Sequence, residues 1–318
     1  MNHEAQQDLT YHHEVTHNTE EHSAAWRGWQ ITCDQVTDGQ FEGEVTELAF
    51  DDLQLIRDRS NQALVKTGQA MKNFLTFSVP ARQHTQEFYC DGHLSVANHI
   101  LIAPADRLPE IHTPSNLDIF CISVDLDVIK NMLSNQGIES GLNSYASSTY
   151  LKEACFGEEL SDCLHTIFSS DLSTQQLEYS RIQNGIKGTI MQHLIDLADS
   201  GDNYAITPLA RKVMVDRARE YVLANLDTPP TILELCNVVG ASRRKLQYCF
   251  QETFGLSPMS YLRIMRLNAA HRDLLHYSNQ YNIQDIAAKW GFLHYGRFAS
   301  EYRTLFAELP SQTIKRAS

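Results

Sequence analysis

TILELCNVVGASRRKLQYCF, residues 231–250, and NIQDIAAKWGFLHYGRFASEY, residues 282–302, decide how the second half of this 318-residue chain folds. In the first stretch Thr231 and Glu234 stand three apart, so hydroxyl and carboxylate satisfy each other's exposed backbone donors at a helix start. Cys236 is small, and four residues later Gly240 permits the left-handed backbone of a tight turn. Ser242 then caps a further helix, in which Leu246, Cys249 and Phe250 share one face. The second stretch repeats this order: Asn282 caps, Ala287 is the small residue, Gly291 makes the turn and Phe298 anchors the next helix. Cys236 to Ala287 and Gly240 to Gly291 are both 51 residues apart. A small residue, a glycine and an apolar anchor let two helices cross closely and project one of them into a major groove. One such match fits many helical hairpins, whereas two at a shared spacing make an internal repeat.

Around these stretches the pattern stays helical. Leu209 to Leu226 reads as an amphipathic helix ended by Pro229-Pro230, and Ser260 to Leu275 as a helix connecting the two units. In the first unit Arg244, Gln247, Tyr248 and Gln251 lie opposite the apolar face, with Arg243 on the flank. Arg grips guanine and Gln grips adenine through paired hydrogen bonds, so this face suits base readout; an ordinary solvated face is the plainer alternative. In the second unit the outward positions are His294, Tyr295, Gly296, Ala299, Ser300 and Arg303, a face short of long polar side chains. The expectation is that the first unit reads bases while the second follows phosphate and shape. Trp290 and Phe292 are read as core.

Charge divides along the same boundary. The net charge is −13, yet residues 211–318 hold 15 Lys/Arg against 9 Asp/Glu, leaving 11 basic and 30 acidic residues before them. That asymmetry suits a polyanion-binding module joined to a part that avoids nucleic acid, although an uneven surface gives the same count. The start is acidic and His-rich without a signal-like apolar run, and no stretch approaches a bilayer span, so the expectation is a cytoplasmic protein without membrane contact. Seven cysteines at positions 33, 90, 121, 155, 163, 236 and 249 show neither zinc-site spacing nor a disulfide framework.

In the first half, residues 1–25 lack hydrophobic periodicity and are expected to form a disordered tail. Residues 45–48, 53–57, 74–79, 94–96, 99–102 and 119–124 read as short strands separated by turns, which predicts an antiparallel barrel or sandwich. Helical spacing follows over 152–168 and 174–199, where Ser173 and Gln176 fit a capping box and Ile182, Ile186, Ile190, Leu194 and Leu197 form a stripe. The second of these segments is the candidate dimerisation helix. Ser200-Gly201-Asp202-Asn203 with Pro208 reads as a linker. The domain plan is therefore a tail (1–25), a sensing and dimerisation domain (26–199), a linker (200–208) and a DNA-binding domain (209–318). The fold class is α+β, a β domain with helices followed by an all-α domain. His84, His93, His99 and His112 raise a barrel metal centre, but no His-x-His pair with a suitably spaced carboxylate is present; no metal, cofactor or catalytic residue is expected.

Residues 213–313 resemble the DNA-binding domain of the AraC/XylS family of bacterial regulators. The matching pieces are Ser242, Leu246 and Phe250; Phe254-Gly255-Leu256-Ser257-Pro258; Tyr261-Leu262; Arg266-Leu267-Asn268-Ala269; Ile286-Ala287; Gly291-Phe292; Gly296-Arg297-Phe298; and Phe306 through Pro310-Ser311. The resemblance implies two helix-turn-helix units joined by a long helix, a cupin-like N-terminal barrel with a small-effector pocket, and a homodimer that activates a catabolic operon through promoter DNA and RNA polymerase. Phe41 to Glu47 and Asp51 to Gln54 are similar to regulators of ethanolamine-utilisation operons, which implies a small amine or amino alcohol as effector. Tyr248 and Ser300 depart from the family pattern, which commonly has a basic residue at the first of these places, and Ala307 replaces a familiar glycine. Base contacts therefore do not carry over directly. An architectural DNA binder and a barrel metal enzyme with a DNA-binding tail are the alternatives.

Overall fold

The structure is a computed structural model and describes residues 9–81, 88–95, 99–135, 148–153, 157–169, 180–199, 203–225, 230–277 and 279–317. The strands are β1 (Thr10–Thr16), β2 (Gln30–Gln35), β3 (Gly43–Ala49), β4 (Leu53–Ser60), β5 (Leu64–Gln69), β6 (Phe74–Pro80), β7 (Phe88–Cys90), β8 (His93–Ser95), β9 (His99–Pro104), β10 (Ile111–Thr113), β11 (Leu117–Asp125), β12 (Thr149–Glu153) and β13 (Asn203–Ile206). They form two antiparallel sheets, in the orders β1-β3-β4-β11-β6-β9-β12-β13 and β2-β5-β10-β7-β8.

Side chains alternate across a strand, and the larger sheet uses that alternation to separate two interiors. Phe120, Ile122 and Val124 of β11, with Leu75, Phe77 and Val79 of β6, form one face. Three helices cover it: α2 (Leu126–Asn135), α3 (Gly157–Ser169) and α4 (Ser180–Asp199). Cys121, between two of these β11 residues, clusters instead with Val45, Ile56 and Trp26 on the side of the smaller sheet. Ile190, Leu194 and Leu197 of the expected stripe are 0–1% exposed in the helix-covered core, and Ile186 packs partly against it. The stripe from Ile186 to Leu197 is therefore consumed within the subunit, while Ile182 is half-buried outside that core.

The tail expectation is corrected for residues 10–24. β1 pairs along its whole length with β3, from Thr10 opposite Ala49 to Thr16 opposite Gly43. It is an edge strand, so one of its faces meets water and its polar sequence shows little apolar alternation. Helix α1 (Thr19–Ala24) follows, capped by Asn18. His22, fully buried, bonds Asp58 Oδ1 at 2.9 Å and Thr16 Oγ1 at 3.0 Å. The linker expectation is corrected over Asn203–Ile206, which forms the edge strand β13 against β12. The start of the expected 152–168 helix is corrected too, because Lys152 and Glu153 complete β12. His84, Val96, the Ser173–Gln176 capping box, residues 200–202 and Pro229 lie outside the described residues.

The C-terminal domain consists of α5 (Ala210–Ala224), α6 (Ile232–Val239), α7 (Arg243–Phe254), α8 (Pro258–Tyr277), α9 (Ile283–Lys289), α10 (Tyr295–Phe306) and α11 (Pro310–Ala317). It has two cores, one around Leu246 and Phe250 and one around Phe298 and Tyr302. Both lobes dock on the outer face and edge of the smaller sheet. Asn268 of α8 accepts from Gln35 N at 2.8 Å and donates to Gln35 O at 2.9 Å. Gln35 Nε2 and Gly39 N donate to Leu305 O at 2.7 and 3.0 Å. Arg272 pairs with Asp34, and the His112 ring stacks on Phe254 with centroids 4.3 Å apart. Glu110, its side chain 5% exposed, receives Lys212, Arg219 and His112. Burial alone would raise the Glu110 pKa, but these three neighbours hold it well below the usual carboxylate range.

His271 sits in the second core, 2% exposed, bonded to Tyr302 and stacked on Phe306. Burial, with Arg316 and Arg272 nearby, pushes its pKa down from 6.5 to about 3. A depressed folded-state pKa gives stability that is complete above the unfolded value and is lost as pH falls below it. Taking the chain from pH 7.5 to pH 5 is therefore expected to remove about 2 kcal/mol through this residue. Denaturant midpoints of the wild type and His271→Gln at both pH values check this: the difference between their pH slopes should vanish if His271 is not the group responsible.

Candidate nucleic-acid interface

Local chemistry builds each helix-turn-helix unit. Thr231 and Glu234 form the expected capping box on α6, and Gly240 ends that helix at φ +67°. Ser242 Oγ accepts from Lys245 N at 3.2 Å and starts α7. Leu246, Cys249 and Phe250 are fully buried against Leu235, Cys236 and Val239, which fixes the crossing of the two helices. That burial turns Arg243, Arg244, Gln247, Tyr248 and Gln251 to the surface, and all five are exposed. Tyr248 is 53% exposed, with Lys245 Nζ 5.7 Å from its ring centroid. Among the described residues Arg243 and Arg244 have no acidic partner within ion-pair distance, so their charges are free for an external anion.

The second unit follows the same plan with one insertion. Asn282 caps α9 by accepting from Asp285 N at 2.9 Å, and Gly291 takes φ +75°. α7 starts three residues after its turn glycine, whereas α10 starts four after. The 51-residue repeat thus becomes 52 beyond the turn, pairing Leu246 with Phe298 and Tyr248 with Ser300. Leu293 occupies the longer turn and is 79% exposed. His294, Tyr295, Gly296, Ser300 and Arg303 are exposed as expected, while Ala299 is half-buried. A Cβ at Gly296 would meet nothing within 4 Å, so this surface is open. Trp290 and Phe292 pack partly against the second core.

Sequence reasoning passed over a basic cleft beside this unit. Arg263 and Arg266 of α8 line it with His294 and Arg297. Arg266 lies 5.2 Å from the Phe292 ring centroid, and Glu301 receives Arg263 at 3.3 Å and Arg297 at 2.8 Å. The signal was present as Arg263 and Arg266, one helical turn apart on the connecting helix. Among the candidate histidines of the first half, His112 is occupied by Glu110 and Phe254, and His93 bonds Thr207 O at 2.7 Å.

Comparison with known proteins gives the following matches. Residues 235–316 match the family model described as a helix-turn-helix domain. The probable thc operon regulatory protein of Rhodococcus erythropolis is 39% identical over 103 residues, 32% of this chain and 31% of that protein. The XylDLEGF operon transcriptional activator of Pseudomonas putida is 31% identical over 137 residues, 43% of this chain and 42% of that one. This chain thus spans well under half the length of these two curated relatives. Among solved structures, a probable AraC family transcriptional regulator from Rhodopseudomonas palustris has 37% identity and a TM-score of 0.30, covering 33% of this chain and 97% of that one. The AraC-like transcriptional activator CuxR has 14% identity and a TM-score of 0.41 over 82% of this chain and 96% of that one.

The two units should separate in a binding assay. Arg244→Ala is expected to weaken the preferred duplex by about 1–3 kcal/mol and to relax preference at one base. Arg297→Ala should weaken all duplexes alike and reduce the salt slope by about one. Uniform weakening by Arg244→Ala, with relaxed preference in Ser300→Ala, reverses the assignment.

Proposed function

We propose that this chain, an AraC-family protein by its C-terminal domain, is a ligand-responsive, sequence-specific transcription factor that activates a catabolic operon. The carrying observation is the repeated unit with its exposed helices α7 and α10. Helix α8, 20 residues and so about 30 Å long, has the length needed to set two such helices close to one duplex turn apart. Arg243, Arg244, Gln247, Tyr248 and Gln251 read bases. His294, Tyr295, Gly296, Ser300 and Arg303, with the adjoining basic cleft, follow the backbone. The protein works in the cytoplasm as a homodimer on paired promoter sites, where it engages RNA polymerase. Its dimer contact does not use Ile190, which the core has consumed; the open face of α4 at Gly185 and Gly188 is available.

Ligand response follows from the smaller sheet having two working faces. Ile31, Lys66 and Ile111 line a cavity between the sheets, while Asp34, Val65 and His112 on the same strands, with Glu110 just before β10, hold the C-terminal domain. A molecule that fills the cavity acts on strands already gripping both lobes. It switches the protein only through unequal affinity for two domain arrangements.

Selection of random duplexes by the purified full chain at physiological salt tests the reading. A discrete motif about two helical turns long, bound at least ~1,000-fold more tightly than random sequence, is expected. Sequence-independent recovery would instead indicate an architectural binder. Loss of the docking ions should also be visible: Glu110→Gln is expected to cost about 1–3 kcal/mol of interdomain stability. In a urea melt this lowers a first transition and leaves the second unmoved, and a single transition at the wild-type midpoint counts against the docking role.

A further inference from the structure

A separate pocket opens where the barrel meets the second helix-turn-helix unit, with about 120 Å³ of room. Gln35, Gln40 and Phe41 line it from one half of the chain, His271 and Phe306 from the other. Hydrogen bonding fixes what its two most buried polar groups offer. Gln35 Nε2 donates to the carbonyls of Thr37, Gly39 and Leu305 at 2.7–2.8 Å, which orients the amide and leaves Oε1 an acceptor with no donor among the described residues. For His271 the direction of bonding follows from a carboxylate. Glu308, held by both terminal nitrogens of Arg316, only accepts, so Thr313 donates to it at 2.7 Å. The Thr313 proton is then spent, so Tyr302 donates to Thr313 and accepts from His271 Nδ1. Burial and the nearby Arg316 and Arg272 keep the ring uncharged at neutral pH, so Nε2 carries a lone pair and no proton. Gln35 and His271 are only 1% and 2% exposed, yet neither free acceptor is among the sealed unpaired atoms of the described residues, so both open on the pocket that they line.

We propose that this seam pocket binds a small neutral molecule with two or more hydroxyl groups, one donating to Gln35 Oε1 and another to His271 Nε2. Its room suits roughly six non-hydrogen atoms, the size of a triol. Buried acceptors gain most from a ligand that brings donors, and Phe41 and Phe306 give the carbon chain an apolar wall. Either charge is disfavoured. A cation meets the field of Arg316 and Arg272, which already opposes a charge on His271. An anion meets two lone pairs beside the Glu308 carboxylate. One acceptor belongs to the barrel and the other to the C-terminal domain, so the bound molecule joins the halves at the second unit. It binds the docked arrangement in preference to any other and thereby stabilises it.

Saturation-transfer NMR of the full chain with glycerol, 1,2-dimethoxyethane, ethanolamine and acetate tests this. Glycerol and the diether match in non-hydrogen atoms, but the diether has no donor. Saturable binding of glycerol at millimolar concentration is expected, at least about tenfold tighter than the diether, the amine and the acid. Gln40 stands exposed at the rim, and its side chain makes no hydrogen bond among the described residues. Gln40→Trp should therefore close the pocket and abolish binding without changing the urea melt of the free protein. His271→Asn keeps a donor for Tyr302 but removes the Nε2 acceptor, and should weaken glycerol about tenfold. Glycerol should also raise the first, interdomain transition of the wild type more than that of Gln40→Trp. No saturable glycerol binding, which leaves water as the occupant, overturns the proposal. So do diether, amine or acid binding as tight as glycerol, undiminished binding in Gln40→Trp, and equal shifts of the first transition in the two proteins.

Discussion

The arrangement of the two halves depends on one side chain. β2 is the edge strand of the smaller sheet, and an edge leaves backbone donors and acceptors without partners. Asn268 covers that edge by offering its amide to both the N–H and the C=O of Gln35, as a neighbouring strand would. Both residues are 1% exposed, so neither hydrogen bond has water as a substitute. Helix α8 is thereby held against the barrel at its middle, the point from which both helix-turn-helix units extend. The Asp34–Arg272 pair and the Leu305 carbonyl extend the grip toward the second unit, and Glu110 with His112 extends it toward the first.

With that constraint in place, the smaller sheet cannot move without loading the DNA-binding domain. Period-two alternation puts Lys66 and Val65, or Ile111 and its neighbours Glu110 and His112, on opposite faces of one strand. A shift of well under an ångström at the cavity wall is therefore presented to charged, desolvated contacts whose geometry is demanding. Interfaces of this kind respond in steps, because buried ion pairs are either satisfied or costly. The exposed faces of α7 and α10 take no part in the docking contacts, so the barrel leaves the candidate DNA-reading residues uncovered.

The C-terminal half was legible because its punctuation is local. Thr231 with Glu234, Gly240, Ser242 and Asn282 fix helix ends within three or four residues, and the structure has each in that role. Asn268 was visible as part of a family motif, yet its partner Gln35 lies 233 positions away, and no local pattern reports such a contact. The N-terminal half was less legible for a physical reason. Strands β1, β2 and β5 are rich in His, Gln, Thr and Lys, since each has one side at an edge or against a polar domain interface. Buried polar groups such as His22 and Asp58 satisfy each other across 36 residues, so the apolar alternation that marks a strand is missing. The insertion at Leu293 was equally hidden, because the glycine spacing matches and only the following helix start reveals it.

Charge also has a second use beyond the one its distribution suggested. The basic excess of the C-terminal half pointed to a polyanion, but several of those cations face the barrel. Lys212 and Arg219 meet Glu110 and Arg272 meets Asp34, both acidic groups of the N-terminal half. The acidity of that half is thus partly complementary to its neighbour rather than a repellent toward nucleic acid alone. Arg243, Arg244 and Arg303 are left with no such partner among the described residues, and they lie on the helices that carry the repeat. The cations of this domain thus include a set neutralised by the barrel, a set paired within the domain, such as Arg263 and Arg297 with Glu301, and a set that faces outward. Any rearrangement that frees the first set would add to the field seen by DNA, coupling domain undocking to DNA affinity with a sign that strengthens at low salt.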